Sequence, residues 1–102
     1  MLELRPACEH CNRALPPDSL DARICSYECT FCAACVADVL HNVCPNCGGA
    51  FAPRPVRPAK DRKGGNFLGK DPASTKVRHR PVDPVVHARL VAEAGHIPPH
   101  ER

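Results

Sequence analysis

Eight cysteines fall within the first half of this 102-residue chain, at Cys8, Cys11, Cys25, Cys29, Cys32, Cys35, Cys44 and Cys47. Read as gaps, they run C-x2-C-x13-C-x3-C-x2-C-x2-C-x8-C-x2-C. In a CxxC turn both thiolates point to one side and can take two adjacent corners of a tetrahedron, so two such pairs close a four-thiolate site. Three CxxC pairs and the slightly wider Cys25/Cys29 pair therefore predict two sites, each suited to a structural zinc ion. The last pair lies in "CPNCGG", where Pro45 presets the turn and Gly48 and Gly49 let backbone N–H groups approach the sulfurs. Spacing alone leaves two groupings open. A sequential one assigns Cys8, Cys11, Cys25 and Cys29 to one ion and Cys32, Cys35, Cys44 and Cys47 to the other. An interleaved one assigns Cys8, Cys11, Cys32 and Cys35 to the first and Cys25, Cys29, Cys44 and Cys47 to the second.

An even cysteine count in a short chain also suits a disulfide scaffold. Two observations oppose it. The opening "MLELRPACEH" has no basic region followed by an apolar one, as a secretory signal would, and no stretch approaches the length of a membrane span. The expected compartment is a reducing cytoplasm, without membrane association, where closely spaced cysteines bind metal rather than cross-link.

The elements that must position these thiols are short. The chain has no tryptophan, one tyrosine and three phenylalanines, too little for a large apolar core. "ARIC" reads as a strand leading into Cys25, with Phe31 as a core anchor. From Ala33 to Val43, apolar Val36, Val39, Leu40 and Val43 recur at helical spacing and predict a short helix between the two sites. Metal ligation contributes on the order of 10–16 kcal/mol per structural zinc, enough to replace the missing core. Without zinc, residues 8 to 48 are expected to be unfolded.

The cysteine gaps resemble those of the RING finger, with "CSYECTFCAAC" standing where that family has C-x-H-x-F-C-x-x-C, and Cys29 in place of its histidine. "CPNC" is similar to the RING closing knuckle. The resemblance covers roughly residues 8 to 48 and implies a cross-brace of treble-clef type, hence the interleaved grouping. "MLELRPACEHCNRALPPDS", "ICSYECTFCAACVADVLHNVCPNCGG" and "DPASTK" also resemble the short bacterial proteins grouped as domain of unknown function 1272. That likeness implies a bacterial cytoplasmic zinc-binding protein and brings no activity with it; the last 20 or so residues lie outside it.

The expected fold is thus a small zinc-stabilised α+β domain over residues 1–52, followed by a basic Pro/Gly-rich linker or tail over 53–82, a C-terminal helix over 83–95 and a flexible terminus over 96–102. Eight of the twelve prolines lie beyond residue 50. The C-terminal helix has Asp83 as N-cap, Pro84 at its first position and Gly95 as C-cap, with Val86, Leu90 and Ala94 on one face. A dozen residues are marginal alone, so this helix docks on its own head, on a second copy or on a partner.

Residues 1–52 carry three arginines against six acidic residues, a balance of −3, whereas residues 53–81 carry nine Lys and Arg against two Asp, giving +7. Residues 82–102 add −1, which completes the net +3. Each Zn²⁺ on four thiolates adds about −2 relative to thiols, which takes the loaded head to about −7 and the whole chain to about −1. The basic stretch offers Arg54, Arg57, Lys60, Arg62, Lys63, Lys70, Lys76, Arg78 and Arg80 to phosphates, or else to its own acidic head. Only Phe67 is available there to stack on a base.

Other motifs carry less. "GGNFLGKD", residues 64 to 71, approaches a phosphate loop but has Asp71 where Ser or Thr should stand, and no strand or helix pattern flanks it. His10 and His41 lie close to knuckles, but eight cysteines already fill two sites; His79, His87, His96 and His100 show no ligand spacing and are expected on the surface. Tyr27 and Phe31 read as packing residues. Ser19, Ser26 and Ser74 belong to no triad, and a closed four-cysteine zinc has no open position for hydrolysis.

The chain accordingly reads as a non-catalytic zinc-binding module, a platform for a protein partner, with nucleic-acid binding through residues 53–81 as the alternative. A ubiquitin-ligase role is disfavoured by Glu9 and Gly48, which occupy positions where ligase RINGs commonly have an apolar and a basic residue. Redox or metal sensing through zinc-bound thiolates is a minor reading.

Overall fold

A computed structural model describes residues 1–102 of the chain. It is a small α+β fold with short elements in the order β1 (Ala22–Ile24), β2 (Thr30–Cys32), α1 (Ala33–Cys35), a π-helical turn (Val36–Leu40), β3 (Ala52–Pro53), α2 (Pro84–Ala94) and a final 3₁₀ turn (Pro99–Glu101). The three strands form one antiparallel sheet in the order β2-β1-β3, with Ala22 opposite Cys32, Ile24 opposite Thr30 and Arg23 opposite Pro53. Pro53, which cannot donate to a ladder, sits on an edge strand. The "ARIC" strand is present, and β2 runs straight into α1, so Cys32 and Cys35 are presented from a strand-to-helix junction.

The core is built as much from sulfur as from hydrocarbon. Six of its ten buried residues are cysteines, packed with Leu15, Ala22, Phe31 and Leu40. Phe31 is the anchor, its ring meeting that of Phe51 edge to face at 5.5 Å. So little apolar material cannot offset chain entropy in a domain of this size.

The helix over Ala33–Val43 is shorter than expected. It tightens to α geometry only for Ala33–Cys35, widens to a π turn and ends at Leu40, because His41 and Asn42 turn left-handed with φ of 51° and 58°. Val43 is still buried, but it reaches the core from the turn, its N–H donating to the Leu40 carbonyl. A left-handed conformation costs a side-chain-bearing residue roughly 1 kcal/mol. The exposed His41→Gly exchange should therefore raise stability by about 0.5–1 kcal/mol, read as an upward shift in the melting temperature of the metal-loaded protein.

Helix α2 docks on the same chain. Asp83 Oδ1 accepts from the N–H groups of Val85 and Val86, Pro84 occupies the first turn, and Gly95 closes the helix with a right-handed φ of −63°. The buried face differs from that expected: His87 is buried, Leu90, Val91 and Ala94 are partly buried, and Val86 is 60% exposed. The reason is polar. His87 Nε2 donates to the Leu40 carbonyl at 2.9 Å, capping the end of the π turn, while its Nδ1 has no partner. At the terminus, Arg102 Nη1 donates to the carbonyls of Asn42 and Gly48. His87→Ala removes that cap and leaves a cavity, so it should cost about 2 kcal/mol in denaturant unfolding.

Residues 53–82, expected as a linker or tail, run along the head rather than away from it. Arg57 donates to the carbonyls of Leu2 and Asp71. Ser74 N–H donates to Leu4 O, and its hydroxyl donates to Glu3. Residues 64–71 form turns closed on Phe67 O, with no strand or helix on either side. No helix is long and apolar enough to cross a membrane.

Candidate metal centres

The first knuckle is a tight turn in which Cys8 N–H donates to Arg13 O and Asn12 N–H returns to Cys8 O, with Asn12 left-handed at φ 64°. Its position is set by a residue that the spacing argument gave no structural role. Glu9, buried, donates its N–H to Thr30 O and receives Thr30 N–H on its carboxylate. Arg5 Nη1 pairs with the same carboxylate oxygen at 2.9 Å. This two-way bond between Glu9 and β2 stitches the first knuckle beside Cys32 and Cys35. The signal in the sequence was only an acidic residue inside a CxxC turn, whose partner lies 21 positions away.

As a result, the sulfurs of Cys8, Cys11, Cys32 and Cys35 all lie within 4.8 Å of one another. All four are the residues that an interleaved grouping assigns to one ion. Sulfurs ~2.3 Å from an ion at the centre of a regular tetrahedron lie about 3.8 Å apart. Cys11 Sγ and Cys32 Sγ are 3.8 Å apart. The donor set and its dimensions thus fit a tetrahedral thiophilic ion.

The second group contains Cys25, Cys44 and Cys47, again with sulfurs within 4.8 Å of one another. Cys29, the fourth residue of the interleaved grouping, falls outside that set and receives Asn46 Nδ2–H on its sulfur at 3.4 Å. Its turn is set by Glu28, left-handed at φ 67°, with Cys25 N–H donating to Cys29 O. The closing knuckle behaves as its sequence predicts. Gly48 takes φ 77° and donates its N–H to Cys44 O, while Gly49 N–H points at Cys47 Sγ at 3.4 Å. Tyr27 N–H likewise reaches Cys25 Sγ at 3.3 Å. Such N–H groups supply positive charge to sulfurs that become thiolates on binding metal.

All eight thiols are free, and the two groups share no member. Burial pushes the thiols of Cys29, Cys32, Cys35 and Cys44 above the ordinary range. At Cys11 burial also acts upward, but the Arg13 N–H and the neighbouring sulfurs outweigh it and bring the thiol below that range. The raised thiols keep their protons at neutral pH when metal is absent, and an ion that binds them must displace those protons.

The remaining candidates separate clearly. His10 uses Nδ1 to accept from Val82 N–H, and its carbonyl meets His79 Nε2. His87 is buried as a helix cap, not on the surface as expected. His41, His96 and His100 are exposed. Phe31 packs as expected, whereas Tyr27 is 73% exposed beside the second group. Of the basic residues offered to phosphates, Arg54 and Arg57 are spent on backbone carbonyls and Arg78 faces Glu3 at 3.7 Å. Lys60, Arg62, Lys63, Lys70, Lys76 and Arg80 remain exposed.

A protein-family profile described as "Protein of unknown function (DUF1272)" matches residues 1–57, which span both cysteine groups. Among curated proteins, an uncharacterized protein of Rhizobium meliloti is 59% identical over 75 residues, covering 74% of this chain and 82% of the relative. No solved structure gives a significant match.

Proposed function

The chain belongs to the DUF1272 family, and from that premise we propose that it is a non-catalytic zinc-binding module of RING-like cross-brace type that serves as a protein-interaction platform. Cys8, Cys11, Cys32 and Cys35 hold the first zinc; Cys25, Cys29, Cys44 and Cys47 hold the second. The convergence of four sulfurs from two distant knuckles to tetrahedral spacing carries this reading. Zinc bound by thiolates supplies cross-links and no reactive water, so the proposed role is structural and the protein is not an enzyme. Free thiols in both groups suit a reducing cytoplasm.

The platform role is supported by what the metal would make rigid. The head leaves Leu20 85% exposed and Tyr27 likewise on the surface, on a body that becomes strongly acidic once its thiolates are metal-bound. Native mass spectrometry tests the metal reading: the mass of two zinc ions is expected, with all eight thiols alkylated only after chelation. A metal-free mass, or one iron per group, would refute it. For the platform, capture of a defined partner should require metal and fail with Tyr27→Asp. Capture indifferent to both changes would count against it.

Nucleic-acid binding is a second reading, supported by the loop that Leu68 N–H closes on Pro58 O. Lys60, Arg62, Lys63 and Lys70 project from it with no carboxylate partner. Four phosphate contacts would give a log–log salt slope of about −3.6 on duplex DNA. Charge-neutral substitutions at these four positions should abolish binding; unchanged affinity would dismiss the reading.

A further inference from the structure

The two cysteine groups differ in closure. In the first, four sulfurs are mutually close and a strap of backbone lies over the knuckle. Arg80 N–H donates to Glu9 O, Val82 N–H donates to His10 Nδ1, and His79 Nε2 meets His10 O. In the second, only three sulfurs are mutually close, and Cys29 is held by the Asn46 amide. A shallow depression lined by Tyr27, Asn46 and Cys47 opens beside it, with Cys47 exposed and no residue of the tail in its lining.

We propose that the Cys25/Cys44/Cys47 centre is a metal-exchange site. A small exogenous thiol enters through the depression, takes the coordination corner assigned to Cys29 and carries the ion away, while the ion of Cys8, Cys11, Cys32 and Cys35 is retained. The inference rests on the reading that both groups hold zinc. The step is ligand substitution without oxidation: the bond from the ion to Cys29 sulfur breaks and one to the incoming sulfur forms. The proton of the incoming thiol passes to Cys29; three further thiols displace Cys25, Cys44 and Cys47 in the same way, each leaving its proton on the sulfur it replaces, so the ion departs on four exogenous thiolates. A soft sulfur donor is the class that competes best for a thiolate-bound ion. Asn46 Nδ2 already supplies Cys29 with a hydrogen bond that does not depend on the ion, and the side chain stays buried. In the first group Cys11 is likewise exposed, but residues 79–82 are bonded across Glu9 and His10 of its knuckle, and no sulfur stands apart from the other three.

The test uses the full chain loaded with two zinc ions, a colorimetric zinc chelator and increasing 2-mercaptoethanol, with pulses of excess N-ethylmaleimide located by peptide mass. One ion is expected to leave at least about tenfold faster than the other, the scale on which a missing supporting contact weakens a metal site. Its rate should rise with thiol concentration. Alkylation should mark Cys25, Cys29, Cys44 and Cys47 while Cys8, Cys11, Cys32 and Cys35 stay protected. Cys29→Ser should speed this release and remove its thiol dependence. The wild-type kinetics decide the matter if that variant does not fold. Equal release of both ions, first release from the Cys8 group, or a rate indifferent to thiol would overturn the proposal. A chain that never takes up zinc shows as an apo mass before any thiol is added, and that result strikes the zinc reading itself.

Discussion

Stripping both ions should convert residues 8 to 48 from a folded head into an unfolded chain. Six of the ten core residues are cysteines, so the apolar contribution comes mainly from Leu15, Phe31 and Leu40, with Val43 buried nearby. Domains of this size are stable by about 5–15 kcal/mol, and one structural zinc contributes on the order of 10–16 kcal/mol. Loss of both ions thus removes more free energy than the whole fold holds, whereas one retained ion keeps its own four-cysteine group cross-linked. In the metal-free chain, burial raises the thiols of Cys29, Cys32, Cys35 and Cys44, so the groups collapse into neutral thiols that attract each other only weakly. The sign of the pH dependence follows. Raised thiol pKa values mean that protons are bound when metal is absent and released when it enters, so falling pH favours the metal-free, unfolded form. With the two raised thiols of each group each giving up a proton on binding, each pH unit below neutrality should lower apparent zinc affinity by at least about 10². Loss of dispersion in amide NMR spectra on adding chelator, with a midpoint shifting steeply between mildly acidic and neutral buffers, is the expected record. Dispersion that survives exhaustive chelation would mean that hydrocarbon packing and the tail suffice.

What the sequence showed well was local, and what it hid was distant. The cysteine turns, the Gly48 turn and the Asp83–Pro84 helix start are each written within a few residues, because a knuckle or a cap closes on its own neighbours. The length of the first helix was not legible, since the valine spacing continues through His41 and Asn42 while the backbone reverses there. The docking face of α2 was misjudged for a related reason. Three apolar residues do not define the rotation of an eleven-residue helix, and the carbonyl of Leu40 draws His87 inward instead. Glu9 joins the knuckle to Thr30 through a bond that no local pattern announces. Arg54 and Arg57 counted equally with Lys60 and Lys63 as free positive charge, although the fold commits them to carbonyls up to 55 positions away. A charge count records sign and cannot record such partners.

Arg54 is where that difference has its largest energetic consequence. It is only 4% exposed, follows directly on β3, and its N–H donates to Ala22 O at the sheet edge. Nη1 donates to Arg5 O, and Nη2 donates to both Leu15 O and Pro16 O, so one guanidinium gathers the two ends of the first knuckle segment. No carboxylate pairs with it, its Nε has no partner, and burial pushes its pKa down. Two effects oppose each other when it is replaced. Arg54→Met relieves the cost of burying an unpaired cation, yet leaves the Arg5 and Leu15 carbonyls without a donor, each worth about 1–3 kcal/mol when buried, while Pro16 O keeps the Ser19 N–H. The carbonyl loss should win, because under the proposed loading each zinc on four thiolates adds about −2 to the head that holds the cation. The expected cost is about 3 kcal/mol in denaturant unfolding of the metal-loaded protein. Arg54→Lys should recover less than half, since a single ammonium on a longer, flexible stem lacks the planar fork that spans the three oxygens. By linkage, Arg54→Met should also weaken zinc retention in a chelator competition, because the charge it removes favours the loaded state. A loss below about 1 kcal/mol, with zinc affinity unchanged, would show that desolvation of the guanidinium cancels its hydrogen bonds.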